Sequence, residues 1–551
     1  MQSGRVRSCR GLPHAVRVCP VARWEAIDLR CKLAIMSLGT LDYSFSPFRE
    51  SLGDDYLAAD PFLEKVLRHH GLSDEVKWKR LRSYGKFAAS SAAVGADAAD
   101  RPGELPQLTP FDAWSTPHPV GLTVPPATRR ILAAALRAGA ATEPDVFLRY
   151  GMAYLGAQVG EAGVTCPLAC TDGLVRVLQE LSGGPETKAA LDHVLMQAPG
   201  GPVHGAQFVT EVQGGSDAAT NAVVAVPEGD GSYRLHGKKW FCSNAWAQYW
   251  VVTARPEGGP KGPRGVGLFL VPRETEEGKN NGFRLDRLKD KLGTRSLPTA
   301  EMTLLGARGW PLGDLHSGLS NMVRVVLTTS RFWNAMAAAA TIRAAQRIGQ
   351  GYADFRQAFG RSVADFPLAA ESLDLLERDA RNYTAAAFEV LAGWERVASK
   401  ERAGEVPDAN EAIRSRLLVM LAKVCATRRA TKRVHDAIML LGGNGIEERF
   451  SPLPRLLRDA VILETWEGPH GLLCARLMLD IHKFGGSEDP RALVALLLGA
   501  GAQDDEIDEL STWLGRITST EDEVARTVDF AGWAEACYDT FAEICWRRAQ
   551  A

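Results

Sequence analysis

Two short segments carry the residues of this sequence with the clearest chemical potential. The run Thr-Glu-Val-Gln-Gly-Gly-Ser-Asp at residues 210–217 places hydroxyls and a glycine pair in one short loop. In such a loop, backbone N–H groups and Ser/Thr oxygens can approach a flat, hydrogen-bonding ring closely, and Gly215 leaves the space for it. The run Thr-Trp-Glu-Gly at residues 465–468 places the Glu467 carboxylate beside an aromatic wall. Together the two segments indicate a flavin enzyme.

Both segments resemble signatures of the acyl-CoA dehydrogenase superfamily, and the Gln-Gly-Gly-Ser-Asp form is most similar to its AidB-like branch. Three further runs carry the same resemblance: Arg-Gln-Ala-Phe-Gly at 356–360, Phe-Asp-Ala-Trp at 111–114 and Gln-Val-Gly-Glu-Ala-Gly at 158–163. The resemblance spans roughly residues 40 to 485. It implies an α+β fold with an N-terminal helical domain, a middle β domain and a C-terminal four-helix bundle, and it implies FAD as the cofactor.

The resemblance also implies a reaction. In this family a proton leaves the α-carbon of an acyl-CoA thioester, a hydride leaves the β-carbon, and the flavin accepts the hydride. Glu467 matches the family's catalytic base in its Tyr/Trp-Glu-Gly signature. We expect Trp466 to give this carboxyl apolar cover, which would raise its pKa toward the working pH. Arg331 aligns with an arginine close to the substrate site in the family.

The resemblance further assigns residues to the cofactor. The hydroxyls of the 210–217 loop are expected at the isoalloxazine ring or the phosphates, and the stretch after Trp240 is expected to line the ring. Donors near the pyrimidine edge of the ring favour hydride acceptance, because negative charge accumulates there on reduction. Arg356 matches a family arginine that reaches the FAD pyrophosphate from across a subunit interface, which implies a homotetramer or dimer. The predicted cofactor-binding set is Thr210, Gly215, Ser216, Phe241, Cys242, Ser243, Arg356 and Trp466.

Purely structural interpretations stand beside these assignments. A glutamate before glycine at a helix start favours the positive end of the helix dipole without any catalysis. Trp240 and Phe241 are also typical of an ordinary strand core, and Arg356 is also typical of a solvated helix. The catalytic interpretation of Glu467 gains from its spacing after the Arg-Asp-Ala run at 458–460, which itself follows a Gly-Gly-Asn-Gly run.

The sequence departs from the family pattern at several positions. Met439 stands where many members carry Gln, so one polar contact to the adenosine half of FAD is missing. Pro469 replaces the usual Thr or Ser after Glu-Gly, which alters the local flavin contacts. Phe332, Trp333 and Trp466 add bulk near the acyl pocket. A short, branched or otherwise unusual acyl group is therefore as compatible with the sequence as a fatty chain.

Periodicity and composition divide the chain into five segments. They predict a disordered or non-native leader, an N-terminal helical domain, a β domain, a helical bundle and a helical appendage, at residues 1–40, 41–205, 206–315, 316–485 and 486–551. The four bundle helices are predicted at 320–358, 366–399, 408–441 and 466–483. A hairpin is predicted over 222–237, with further strands at 250–254 and 266–271.

Composition limits the partners and the compartment. The chain has 551 residues and a formal net charge of −2, which gives no global attraction to nucleic acid or to an anionic membrane. The longest apolar runs fall short of the ~20 residues that a spanning helix needs. Ten cysteines without regular spacing fit a reducing compartment, and we expect the cytoplasm. Cys166 and Cys170 lack the close pairs of a zinc site and are expected to be core thiols, so no metal is expected.

The sequence leaves two functions open. The first is an FAD-dependent acyl-CoA dehydrogenase with an electron-transferring flavoprotein as its partner. The second is an AidB-like flavoprotein of the alkylation response that binds DNA and has little dehydrogenase activity. The second function needs a basic face, and a charged helix is usually only a solvated one. The candidate cations are Arg414, Arg416, Lys423, Arg428, Arg429, Lys432 and Arg433.

Overall fold

The computed structural model describes residues 43–118, 120–196 and 203–550. Residues 43–50 belong to a separate compact unit, and helix α1 (Ser46–Ser51) begins there. The second unit holds the described residues from Ser51 onward. The predicted leader at residues 1–40 lies outside the described residues. In the described part of the chain, no helix has the length and apolar character needed to cross a membrane.

Helices dominate the described residues before 197. They are α2 (Pro61–His69), α3 (Glu75–Phe87), α4 (Ala93–Ala99), α5 (Pro126–Ala138), α6 (Val146–Ala157), α7 (Thr165–Leu181) and α8 (Pro185–Met196). Aspartate caps define where several of them begin, because a carboxylate accepts from the otherwise unpaired N–H groups of a first helical turn. Asp74 accepts from Val76 and Lys77 in this way, and Asp145 accepts from Phe147 and Leu148.

The long connection between α4 and α5 includes a small hairpin. Its strands are β1 (Gln107–Leu108) and β2 (Leu122–Thr123), which pair antiparallel. The Phe-Asp-Ala-Trp run lies at its tip, where the Asp112 carboxylate accepts from the backbone N–H groups of Trp114 and Thr116, both at 2.8 Å. Trp114 is exposed.

A closed ring of strands forms the middle domain. The strands are β3 (Gly205–Phe208), β4 (Val224–Pro227), β5 (Tyr233–Ser243), β6 (Tyr249–Pro256), β7 (Gly267–Pro272), β8 (Phe283–Leu288) and β9 (Thr299–Pro311). They follow the order β3-β6-β4-β5-β9-β7, with β8 also on β9, and the additional pairing of β6 with β7 closes the ring. The predicted hairpin is the antiparallel pair β4–β5, and the two other predicted strands are β6 and β7.

Long helices form the C-terminal bundle. They are α9 (Gly318–Asn321), α10 (Thr328–Phe355), α11 (Pro367–Arg402), α12 (Ala409–Leu441), α13 (Leu453–Thr465) and α14 (His470–Lys483), with a small hairpin of β10 (Gln357–Ala358) and β11 (Arg361–Ser362) after α10. The predicted order of helical region, β domain and helical bundle is confirmed.

Two details of the bundle differ from the prediction. Helix α13 was not among the four predicted bundle helices. Its first turn contains Pro454, which is tolerated there because the first N–H groups of a helix need no intrahelical partner. The last bundle helix begins at His470 rather than at residue 466, because Glu467 and Gly468 have positive φ angles of 57° and 108°.

The final three helices join the core of the bundle. They are α15 (Pro490–Leu498), α16 (Asp504–Ser519) and α17 (Glu523–Gln550). Trp533 and Tyr538 of α17 are fully buried in the same hydrophobic cluster as the bundle helices. The ring of Tyr538 lies 5.4 Å from that of Tyr383 on α11, and the Tyr383 hydroxyl donates to Asp539 at 2.6 Å. The predicted appendage is therefore continuous with the bundle.

This packing gives a test of the terminal helices. Trp533 is fully buried and donates its indole N–H to the Leu510 carbonyl at 3.0 Å, so Trp533→Ala should lower the free energy of unfolding by about 3–5 kcal/mol. The control is Val528→Ala on the exposed side of α17, with an expected change within about 0.5 kcal/mol. Urea titrations of both variants measure this, and equal values for the two would contradict a shared core.

Candidate functional site

Glu467 lies in the sharp turn between α13 and α14. Trp466 ends α13, and Pro469 caps the start of α14. Glu467 and the following Gly468 both have left-handed backbone conformations, which reverse the chain within two residues. A non-glycine residue rarely adopts this conformation, because its Cβ then lies close to the next carbonyl oxygen. The sequence therefore places an acidic side chain at a strained position.

Three separate parts of the chain hold this turn. Gln207 of β3 donates its side-chain N–H to Glu467 Oε1 at 2.9 Å. Arg331 near the start of α10 donates Nε to the Glu467 carbonyl at 3.2 Å. Lys423 in the middle of α12 donates Nζ to the carbonyls of Glu464 and Gly468, at 2.8 and 2.6 Å. The site therefore lies where the β domain meets the bundle.

Burial shifts the acidity of the groups in this site. Desolvation raises the pKa of Glu467 to about 7, although nearby Arg331 and Lys423 and the hydrogen bond from Gln207 pull it down. Burial also lowers the pKa of Lys423 to about 8 and lowers the pKa of Arg331. A carboxyl whose pKa is close to neutrality can both accept and release a proton at physiological pH.

Sequence reasoning found Glu467 and Arg331, which the structure brings together, and missed Gln207 and Lys423. Gln207 precedes the predicted loop by three residues and also bonds Ser330 of α10. Lys423 was assigned to a solvated basic face. The signal that could have found it is a lysine within the long apolar run of α12, where every neighbour from Leu417 to Ala422 is buried.

The loop at 210–217 is folded tightly against β5. The Trp240 N–H donates to the Thr210 carbonyl at 2.9 Å, and Glu211 and Gly214 exchange backbone hydrogen bonds at 3.1 and 3.3 Å. A Cβ at Gly215 would lie 2.9 Å from Thr210 Oγ1, so a side chain there would displace the hydroxyl. Ser216 is exposed. Because Thr210 follows Gln207 by three residues, the loop starts within roughly 10 Å of the Glu467 site.

A buried ion pair that the sequence analysis missed anchors this loop. Lys239 of β5 is fully buried, and its Nζ lies 2.8 Å from Glu211 Oε1. Lys239 also donates to Thr253 Oγ1 at 3.1 Å, and Glu211 accepts from the Ala222 N–H at 2.6 Å. Burial favours the neutral forms of both groups, yet the pKa of Glu211 stays lowered, because Lys239 and hydrogen bonds stabilise the carboxylate.

The stretch after Trp240 contains a bulge in the pairing of β5 with β9. The register shifts between Lys239 and Cys242, and Phe241 has a φ of 53°. Phe241 is 53% exposed, so it is not an ordinary core residue. Trp240 is partly exposed, and Lys289 Nζ lies 3.1 Å from the centre of its ring.

Cys242 and Ser243 after this bulge differ in orientation. The Cys242 side chain is buried in the hydrophobic core, and burial raises the pKa of its thiol. Any contact of Cys242 with a bound flavin ring would therefore come from its backbone atoms. Ser243 is partly exposed, and its Oγ lies 3.1 Å from Thr299 Oγ1 on β9.

Arg356 lies far from the rest of the predicted set within one chain. It follows α10 directly, whereas Arg331 lies near the start of that helix, so 25 residues at 1.5 Å each separate the two by roughly 37 Å. The adjoining hairpin places Phe359 at its tip, 98% exposed and with a φ of 51°. The single chain thus does not bring Arg356 to Glu467.

The proposed basic face of α12 is largely paired within the protein. Arg416, Arg428, Arg429 and Arg433 form ion pairs with Asp480, Glu535, Asp539 and Asp379 at 2.6–3.3 Å. Arg414 donates to the Leu496 carbonyl at 2.9 Å, and Lys423 is fully buried. Lys432 is exposed. A phosphate backbone would have to compete with these internal partners, so the geometry of this helix counts against DNA binding.

Comparison with known proteins identifies two domains. Residues 206–306 match the acyl-CoA dehydrogenase middle domain, and residues 316–480 match the acyl-CoA dehydrogenase C-terminal domain. The chain is 34% identical to acyl-CoA dehydrogenase family member 11 of Caenorhabditis elegans over 65% of its length, and 34% identical to the putative acyl-CoA dehydrogenase AidB of Escherichia coli (strain K12) over 61%. These matches span 56% and 60% of the two relatives.

A solved structure shares most of the architecture. Caenorhabditis elegans ACDH-11 in complex with C11-CoA superposes with a TM-score of 0.72 at 26% identity, covering 89% of this chain and 90% of that protein. The coverage exceeds that of the two matched domains, so the likeness extends to the helices on either side of them.

The buried ion pair under the loop is directly testable. Lys239→Met leaves the buried Glu211 charge unpaired, which should lower the free energy of unfolding by about 3–5 kcal/mol. Lys239→Met combined with Glu211→Gln should recover part of that loss, because no charge is left unpaired. Arg284→Met, at an exposed ion pair with Asp286, is the control and should cost at most about 1 kcal/mol. Urea unfolding compares the three, and a small loss in the single Lys239 variant would contradict the anchoring role.

Proposed function

The chain belongs to the acyl-CoA dehydrogenase superfamily, in its AidB-like branch, and from that premise we propose that it is an FAD-dependent dehydrogenase of acyl-CoA thioesters. Glu467 is the base in this proposal. One observation carries it: the carboxyl lies at the junction of the β domain and the bundle, and burial raises its pKa to about 7. A carboxylate of ordinary pKa would be too weak a base for a carbon acid.

The residues around the β5 bulge fit a flavin. The partly exposed Trp240 and exposed Phe241 present apolar surface outside the barrel, and the Thr210 hydroxyl lies beside Gly215, where a side chain would fill the space. The exposed Ser216 and the partly exposed Ser243 supply further hydroxyl donors and acceptors. When bound, FAD would supply the acceptor for a hydride. We assign Thr210, Gly215, Ser216 and the 240–243 stretch to its binding.

The protein's own contribution is the handling of one proton. Glu467 would take a proton from the α-carbon of the thioester at its Oε atoms. Gln207 fixes the direction of the carboxylate through its hydrogen bond, and Lys423 fixes the turn that carries it. Arg331 lies beside the same turn and lowers the pKa of Glu467, which keeps a useful fraction ionised at neutral pH.

Partners follow from the same proposal. The C. elegans neighbour is in complex with C11-CoA, which supports an acyl-CoA ligand for this chain. Arg356 cannot serve the Glu467 site of its own chain, and the exposed Phe359 beside it favours contact with a second subunit, so we propose a homodimer or homotetramer. An electron-transferring flavoprotein is the proposed acceptor of the electrons.

Two bulky side chains that follow Arg331 on α10 bear on the choice of acyl groups to test. Phe332 and Trp333 are both buried. The Trp333 indole N–H donates to Asp172 at 2.9 Å, and the ring of Phe332 lies 4.9 Å from that of Tyr150. These contacts hold both rings in place, so neither can move aside for a long chain without losing them. Short or branched acyl groups belong in the substrate panel for this reason.

The decisive experiment is anaerobic mixing of the FAD-loaded protein with short, branched and long acyl-CoA thioesters. Reduction should bleach the flavin band near ~450 nm. In Glu467→Gln the yellow colour should persist and the bleaching rate should fall by about 10²–10⁴-fold, because an amide cannot take the proton. Glu447→Gln, an exposed glutamate of the same region, is the control and should bleach normally. Full activity in Glu467→Gln would remove the assignment.

The pH dependence gives an independent test. Glu467 must be ionised to accept a proton, so the second-order rate constant of bleaching should rise with pH and reach half its maximum at about pH 7, the pKa of Glu467 in the substrate-free protein. The bleaching rate at thioester concentrations well below saturation, measured between pH 5.5 and 8.5, checks this. A rate already at its maximum at pH 5.5 would indicate an ordinary carboxyl and would contradict the effect of burial.

A further inference from the structure

A chain of hydrogen bonds leads from Ser243 to an ammonium group inside the protein. Ser243 Oγ and Thr299 Oγ1 lie 3.1 Å apart, on residues that are cross-strand partners of β5 and β9. Lys291 donates Nζ to Thr299 Oγ1 at 2.8 Å and to the Leu297 carbonyl at 2.9 Å. The ammonium group of Lys291 therefore lies two hydrogen bonds from Ser243, a residue assigned to the flavin.

Acidic groups from two other elements face Lys291. Glu161 precedes α7 and accepts from the backbone N–H groups of Gly163 and Cys166, at 2.6 and 3.2 Å. Asp459 of α13 accepts from the N–H of Glu161 at 3.0 Å and from that of Thr294 at 2.6 Å. Backbone donors therefore fix both carboxylates, and the loop that carries Lys291 is tied to α13.

Burial and the nearby acidic groups have opposite effects on the charge state of Lys291. Burial lowers the pKa of Lys291 to about 8, while Glu161, Cys166 and Asp459 act to raise it. Burial raises the pKa of Glu161 to about 7, with a further increase from Asp459. Lys291 is therefore a cation at neutral pH and loses its proton in mildly alkaline solution.

We propose that Lys291 is a positioning residue that raises the electron affinity of the bound flavin, acting through Thr299 and Ser243. The inference rests on the proposed function, because it takes Ser243 as a flavin contact. An oxygen that accepts from an ammonium becomes a better hydrogen donor, so in this proposal Thr299 donates to Ser243, and the Ser243 O–H would remain available to donate to a bound flavin. Two-electron reduction adds negative charge to the flavin, and the nearby cation stabilises that form.

A purely structural role for Lys291 makes a different prediction. Both of its acceptors, Leu297 and Thr299, lie within eight residues of it, so the ammonium also closes its own loop. A loop closure affects stability and FAD affinity but leaves the potential of the bound flavin unchanged. The midpoint potential therefore separates the two roles.

The test is the midpoint potential of the full-length FAD-loaded protein, equilibrated with reference dyes under anaerobic reduction at pH 6.5 and 9.5. At pH 6.5, Lys291→Met should favour the oxidised flavin about tenfold more than the wild type does. For a two-electron couple this lowers the midpoint potential by about 30 mV. At pH 9.5 the wild-type lysine is neutral, so the two proteins should converge. Lys238→Met, an exposed lysine of β5, is the matched control and should equal the wild type at both pH values.

Thr299→Val provides the second variant, since it keeps the ammonium and breaks the link. At pH 6.5 its midpoint potential should lie below that of the wild type, by a smaller amount than in Lys291→Met. If Lys291→Met fails to fold, the potential of Thr299→Val alone decides the matter. Wild-type potentials in the variants that bind FAD would overturn the inference and leave the proposed function intact. A wild-type protein that takes up no FAD would instead overturn the proposed function.

Discussion

Taking the Glu467 carboxylate out of water costs free energy, and the groups that offset this cost come from three distant parts of the chain. Gln207 comes from the first strand of the β domain, Arg331 from α10 and Lys423 from α12. Gln207 reaches residue 467 only when the β domain packs against the bundle, and Arg331 and Lys423 reach it only when α10 and α12 pack beside the turn between α13 and α14. The acidity of one side chain is thus a property of the whole domain arrangement.

Several charged residues of this protein form buried or partly buried ion pairs that join separate elements of the fold. Lys239 and Glu211 hold the loop at residues 210–217 to the β domain, and Asp379 on α11 joins Arg429 and Arg433 of α12. Breaking one partner of such a pair is costly, because the other charge is left unpaired in a poorly solvated place. Most of the cations on α12 already have partners within the protein, so a polyanionic ligand would have to compete with those partners.

The sequence predicted those features that depend on local patterns. The hairpin β4–β5, the strands β6 and β7 and the four predicted bundle helices (α10, α11, α12 and α14) follow from periodicity and turn residues. Glu467 and Arg331 were both assigned through the family resemblance. Gln207 and Lys423 were not assigned, because Gln207 meets Glu467 only where the β domain packs on the bundle, and Lys423 meets the turn only where α12 packs beside it.

Two further differences have the same origin. The aromatic residue at 241 was equally compatible with a strand core, and only the bulge in the pairing with β9 turns it outward. The terminal helices look amphipathic and acidic in isolation, and only the apolar face of α11 and α12 explains why Trp533 and Tyr538 are buried. The local sequence determines whether a segment forms a strand or a helix. The neighbouring elements that pack against the segment determine which of its side chains face water.

The left-handed backbone at residue 467 has a consequence for the balance between robustness and chemistry. An L-amino acid in that conformation carries a penalty of about 1–2 kcal/mol that glycine largely avoids. Glycine would also remove a carboxyl held away from solvent. The chain would therefore become more stable if this one side chain were deleted, so selection for heat resistance alone at this position would remove the proposed base.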